Sequence, residues 1–198
     1  MYPYIIIGLI ATIIGLIGYV PYIWKTFSGK NKPHAFTWLI WSLLLTIGFL
    51  AAALKGGGPG TWAVGVPAAL ELLVFIIAIF KGEKDIDRMD VATLMAALLG
   101  IVLWLLTTNP LWAVIIVASV DMIGYIPTIR KAYKKPREES ITVYTFSSVS
   151  FLVSLFALRA ITLTTFLYPL TLFLSNGLFA TFVVARRYQL KKRRKRAN

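Results

Sequence analysis

The chain has 198 residues, of which 58% are hydrophobic and 15% charged, with 21 Lys and Arg against 8 Asp and Glu and a formal net charge of +13. That apolar share excludes an ordinary water-soluble domain, so the charges must lie between apolar runs rather than within them. The absence of cysteine excludes disulfides, thiolate metal sites and cysteine nucleophiles, and a lone His34 excludes a histidine metal centre; no metal and no other cofactor is expected.

A membrane crossing needs roughly 20 apolar residues of helix. Seven such runs follow along the chain, over residues 4–24, 35–54, 62–80, 91–106, 111–129, 143–158 and 165–185. The first is read as a true helix rather than a cleaved signal, because it lacks a basic start and carries Pro21 near its end. The connections are short and leave no room for a soluble domain. The expected organisation is a first three-helix bundle over 1–80, a linker helix in 81–109, a second bundle over 110–186 and a basic tail over 187–198.

The cations sort by segment. With the N-terminus outside, 19 of the 21 Lys and Arg fall in inward segments, leaving only Lys55 and Arg159 outside. Positive residues held in the cytoplasm set membrane orientation, so the chain is read as N-out and C-in with an odd number of helices. The absence of a long loop or a glycosylation sequon fits a prokaryotic plasma membrane. The tail cluster from Lys191 to Arg196 is explained by contact with an anionic leaflet, at roughly 1 kcal/mol for each cation near the surface, rather than by nucleic acid.

An internal repeat is present. Residues 17–25 (IGYVPYIWK) match residues 123–131 (IGYIPTIRK) at six of nine positions, at an offset of 106. At an offset of 108, Trp38, Ser42 and Thr46 lie against Phe146, Ser150 and Ser154, a spacing that places each trio on one helix face. At an offset of 102, Pro67 matches Pro169. Helices 1 to 3 and 5 to 7 therefore read as two copies of one bundle, and helix 4 lets both insert the same way up. The expected fold is an all-α integral membrane protein, two parallel three-helix repeats with a solute path between them.

This arrangement, with a Gly-x-x-Pro-x-x-x-Lys ending to helices 1 and 5, resembles the SWEET sugar transporters and the wider PQ-loop superfamily. Pro127-Thr128 reproduces the SWEET pair, and Trp38-Leu39-Ile40-Trp41 resembles the paired tryptophans of Pnu-type vitamin transporters of the same fold. The resemblance implies alternating access for a small polar solute that is sugar-like or vitamin- or nucleoside-like, facilitative or proton-coupled, without enzymatic activity. The alternative is a receptor or scaffold of the same fold that binds without transporting. A homo-oligomer is compatible with either.

Ionisable groups inside the hydrocarbon layer cost several kcal/mol and mark candidate sites. Glu71 in helix 3 and Asp121 in helix 5 are the two acids in apolar runs, and neither is duplicated, since their counterparts are Phe173 and Gly15. Each reads as a solute ligand, a proton carrier or an internal hydrogen-bond acceptor. Asn176 shares a face with Pro169, and the resemblance to SWEETs, which use an Asn in helix 7, implies a substrate role for it. Tyr19, Tyr125, Trp38, Ser42 and Ser150 complete the substrate candidates. Trp38 and Trp41 also admit an interface-belt role, which is the favoured one for Trp104 and Trp112. Pro21, Pro127, Pro67 and Pro169, at matching places in the two halves, read as hinges beside the close-packing Gly18 and Gly124. The glycine-rich stretch 55–60 reads as an outer gate or a plain connector.

Overall fold

The structure, a computed structural model, describes residues 2–83, 88–106 and 109–197. Lys84, which enters the charge assignment above, and the side chains of Trp104, Arg194, Lys195 and Arg196 lie outside the described residues.

Seven α-helices follow one another: α1 (Tyr2–Phe27), α2 (Ala35–Leu54), α3 (Trp62–Lys81), α4 (Arg88–Leu106), α5 (Pro110–Lys134), α6 (Ile141–Leu155) and α7 (Leu163–Ala197). A 3-10 turn, Gly58–Thr61, leads into α3, and another, Pro136–Glu138, precedes α6. No strand occurs among the described residues. Among the described residues, five helices are long and apolar enough to cross a membrane, namely α1, α2, α3 with its leading turn, α5 and α7. The chain has the build of an integral membrane protein.

Local sequence accounts for the boundaries. Gly29, at φ 72°, takes the left-handed conformation that ends α1, and Gly56, at φ 79°, does the same after α2. Asn109 caps α5 by accepting from the Leu111 amide at 2.9 Å, with Pro110 at the first helical position. Two helices differ from the apolar runs. α6 stops after 15 residues, because the chain turns at Phe156 and the Ala157 carbonyl accepts from the Gly60 amide across the bundle. α7 continues through the basic tail to Ala197, since Gln, Leu, Lys and Arg all favour helix and no Gly or Pro interrupts them.

The helices are sided as lipid requires. On α1, Ile6, Leu9, Ile10, Ile13, Ile17, Val20 and Trp24 are exposed, while the small residues Gly8, Ala11, Gly15 and Gly18 are buried on the opposite face. Packing follows a ring: α3 packs against both α1 and α2, α7 against both α5 and α6, and the ring closes through α1 on α6 and α2 on α5. α4 stands outside it, mainly against α5.

The ends of the bundle differ in charge. At one end, Lys131 pairs with Glu139 at 2.9 Å and donates to the Lys32 carbonyl at 2.7 Å, joining the loops before α2 and α6. Arg187 donates to the carbonyls of Pro136 and Glu139, and Lys135 lies 3.8 Å from Glu83. Burial pushes the Glu139 carboxyl up from its ordinary range, with Glu138 adding to the effect and Lys131 opposing it. At the other end, the glycine-rich stretch is packed rather than open. Pro59 is buried against Gly8 of α1, and the Arg159 amide donates to the Gly57 carbonyl at 3.3 Å.

Candidate functional site

The ring encloses a narrow cavity to which each of its six helices contributes. Tyr19 comes from α1; Trp38, Trp41 and Leu45 from α2; Glu71 from α3; Asp121 and Tyr125 from α5; Tyr144 and Ser147 from α6; and Leu172 and Asn176 from α7. In the conformation described, the cavity has room for about one water molecule. A larger solute enters only if the helices separate.

The two membrane acids meet here. Glu71 is 6% exposed and Asp121 2%. Tyr19 donates its hydroxyl to Glu71 Oε1 at 2.6 Å, from α1 to α3. Tyr168 Oη of α7 lies 3.5 Å from Asp121 Oδ1, at the long limit of a hydrogen bond. Each acid therefore engages one tyrosine through one oxygen. The other oxygens, Glu71 Oε2 and Asp121 Oδ2, are buried with no hydrogen-bond partner among the described residues, and so is Trp41 Nε1. Buried polar atoms ordinarily find partners, so unfilled ones beside a cavity are groups a solute can satisfy.

Aromatic rings form a continuous set along one side. Tyr22 packs on Trp38 at 4.9 Å between centroids, Trp38 on Trp41 at 5.6 Å and Trp41 on Tyr125 at 4.8 Å; Phe179 joins Tyr125 to Tyr144. Trp38 and Trp41 are thus buried cavity walls, and the interface-belt reading of this pair is corrected. They are buried because their helix, α2, packs on α3, α5 and α7 and has little lipid-facing surface at that level. Trp112 is exposed, as a belt residue would be.

Of the residues singled out from the sequence, Glu71, Asp121, Tyr19, Tyr125, Trp38 and Asn176 line the cavity. Asn176 donates through Nδ2 to the Leu172 carbonyl one turn earlier in its own helix. Ser42 and Ser150 do not line it: Ser42 donates to the Ala68 carbonyl of α3 and Ser150 to the Ala11 carbonyl of α1, each joining two helices. Pro21, Pro67, Pro127 and Pro169 lie inside α1, α3, α5 and α7, each without an amide hydrogen to give the carbonyl one turn earlier. Gly18 sits where α1 meets α6, and Gly124 where α5 meets α2. A Cβ at Gly18 would lie 3.3 Å from Val143 Cα of α6, and one at Gly124 3.1 Å from Trp41 Nε1 of α2.

Sequence reasoning missed Tyr168 and Tyr144. Tyr144 aligns with Phe36 in the repeat, a usable signal for a conserved ring position between halves; Tyr168 has Val66 as its counterpart, and only its place beside Pro169 marks it. Among the described residues no group of His, Cys, Asp or Glu is arranged to hold a metal ion.

No family model matches the chain, and no curated protein or solved structure is similar to it. The fold and site define a class by themselves: an all-helical membrane protein whose ring of helices closes around an acidic, aromatic cavity.

Proposed function

We propose that the protein is a transporter of small polar solutes, built as two pseudo-symmetric three-helix halves of the SWEET and PQ-loop type and working by alternating access. The observation that carries the reading is the shared cavity, into which each half sends one acid with an unfilled oxygen. The packing supports the halves: α3 sits with α1 and α2 as α7 sits with α5 and α6, and the halves meet through α1 on α6 and α5 on α2. Seven crossings with the N-terminus outside would put the Lys131–Glu139 end in the cytoplasm. The short α6 is accommodated in such a topology because Ala157 and Leu158, which follow it, are buried in protein rather than lipid.

The lining supports a solute with donor groups and a flat face, vitamin-like or nucleoside-like rather than a plain sugar. Two acids offer acceptors to an amine or hydroxyl, and Trp38, Trp41 and Tyr125 offer ring faces. The prolines within α1, α3, α5 and α7 leave backbone carbonyls unpaired in both halves, which suits bending during exchange between outward and inward states.

The test is uptake by proteoliposomes of a panel of sugars, nucleosides, amines and vitamins, with and without a pH gradient. Flux of an amine- or ring-bearing solute that is lost in Glu71→Gln or Asp121→Asn is the expected outcome. Flux that ignores both substitutions would remove the acids from the mechanism, and specific binding without flux for any compound would establish a receptor instead.

A further inference from the structure

The two lysines that close the repeated segments of α1 and α5 have different surroundings. Lys25 is exposed, whereas the Lys131 side chain is 11% exposed and held from two directions. Lys131 pairs with Glu139, in the segment joining α5 to α6, at 2.9 Å and donates to the Lys32 carbonyl, in the segment joining α1 to α2, at 2.7 Å. Glu139 is a fixed anchor for it: the carboxyl is buried, and Arg187 of α7 donates to the Glu139 carbonyl at 2.7 Å and to the Pro136 carbonyl at 3.0 Å. Lys135, half exposed and 3.8 Å from Glu83, makes a looser second link between the same parts of the bundle. The Lys131 contact lies just below the central cavity. Tyr144, a cavity wall, helps Lys131 hold the Glu139 carboxyl charged against burial. On α5, Tyr125 of the cavity and Lys131 are fewer than two turns apart, with Pro127 between them. Pro127 gives no amide hydrogen to the turn before it, so the stretch of α5 that carries Lys131 can swing while the cavity stretch stays in place.

The geometry points to Lys131 as a latch that closes the cavity at this end, tying the end of α5 and the anchored Glu139 to the segment before α2. Glu139 is its positioning residue, aiming the ammonium across at the Lys32 carbonyl. The opposite end is fastened by backbone hydrogen bonds, from the Gly60 amide to the Ala157 carbonyl and from the Arg159 amide to the Gly57 carbonyl. A link made through one long side chain is released by a change of rotamer, without breaking a turn, so the Lys131 end is the one built to open. Use of the latch as a gate rests on the transport reading, since a solute path is what needs one. The latch itself does not, and a distance measured without solute reads it.

The experiment is double electron–electron resonance on the full chain in detergent, with spin labels on Ser28→Cys and Arg137→Cys, exposed positions on the two sides of the contact; no native cysteine competes for the label. A second pair, Lys55→Cys with Ile161→Cys, reports the opposite end. Lys131→Met removes the donor and should raise the ratio of long to short distances at the first pair about tenfold, as loss of one charge-assisted hydrogen bond does, without lengthening the second pair. Lys131→Arg, Lys25→Met and Glu138→Gln, which alters the neighbouring acid, should each keep the wild-type distances. An unchanged first pair in Lys131→Met, an equal change in any of those three controls, or lengthening at both ends would overturn the latch. Size-exclusion elution and thermal unfolding like the wild type's identify a folded Lys131→Met. If it is misfolded, Glu139→Gln is read in its place: removing the anion that aims the ammonium should give the same longer population, and its absence would overturn the proposal. The distance change with no flux of any solute would support the latch while removing the transport reading.

Discussion

Tyr19 and Glu71 make separable contributions, and two substitutions should show it. Tyr19→Phe removes the hydroxyl that donates to Glu71 Oε1 at 2.6 Å. Because Glu71 Oε2 already has no partner among the described residues, the carboxyl then keeps none. Leaving a buried group in that state costs about 1–3 kcal/mol. For a chain of this size the melting midpoint should fall by roughly 2–12 °C, at ~2–4 °C for each kcal/mol. Glu71→Gln acts on the other oxygen. Its amide carbonyl still accepts from Tyr19, so stability falls by no more than about 1 kcal/mol, the difference between a charged and a neutral hydrogen bond. A solute amine or hydroxyl, however, loses a carboxylate partner worth ~1.5–3 kcal/mol, which weakens apparent affinity about 10- to 150-fold. Unfolding followed by tryptophan fluorescence and uptake into proteoliposomes read the two effects side by side. The opposite pattern, Tyr19→Phe sparing the midpoint while Glu71→Gln lowers it and leaves uptake intact, would refute the assignment of one oxygen to the tyrosine and the other to the solute.

The equivalent glycines should differ on substitution: Gly18→Ala drives a Cβ to 2.8 Å from Phe146 Cβ and 3.3 Å from Val143 Cα and should cost ~1–3 kcal/mol, as overpacking does. Gly124→Ala meets chiefly a ring atom of Trp41, which can shift, so a larger destabilisation there than at Gly18 in thermal unfolding would contradict the packing. The Glu139 carboxyl, raised from its usual 4.5 by burial, holds its proton more tightly folded than unfolded. Its contribution is therefore full below about pH 4.5 and is lost as pH rises through the folded titration; midpoints measured from about pH 4 to 7 should slope downward, and Glu139→Gln should flatten the slope. Since the chain has no cysteine, engineered pairs can test which contact between halves moves. Oxidising Gly18→Cys with Val143→Cys should leave uptake within about twofold, whereas Gly124→Cys with Ile40→Cys should abolish it until reduced; equal effects of the two cross-links would argue against a single moving seam.

What was legible in the sequence followed from what lipid and backbone geometry forbid. The span of α2 is readable because Pro33 and His34 precede it and Gly56 follows it, and the start of α5 because Asn109-Pro110 is a cap followed by a first-turn proline. Glu71 and Asp121 stand out because a carboxyl in an apolar run needs a reason. Of the tyrosines around them, Tyr19 and Tyr125 stand out through the repeated Ile-Gly-Tyr segment, whereas Tyr144 and Tyr168 do not, since a ring in a membrane helix is as much at home against lipid as in a cavity. Periodicity placed Ser42 and Ser150 on inward faces, but no pattern says that a short hydroxyl will reach a neighbouring carbonyl before it reaches the cavity. Length misled at α6 and α7, where hydropathy marks how far a chain is apolar and not how far it is helical.

Packing between α1 and α6 explains why Asp121 has no acidic counterpart in α1. Asp121 of α5 corresponds to Gly15 of α1, and a Cβ at Gly15 would already lie 3.1 Å from Ser150 Oγ. A carboxyl does not fit there, because α1 and α6 approach through Gly15 and Gly18 and are joined by the Ser150 bond to the Ala11 carbonyl at 2.7 Å. The matching seam between α2 and α5 is built otherwise. Its serine, Ser42, turns to Ala68 within its own half, and the space beside Gly124 is filled by the Trp41 ring rather than by backbone. One contact is therefore fastened by hydrogen bonding and close backbone packing, while at the other the buried Trp41 ring stands between the helices. The room that admits Asp121 in α5 is therefore room that the close approach of α1 and α6 denies at Gly15.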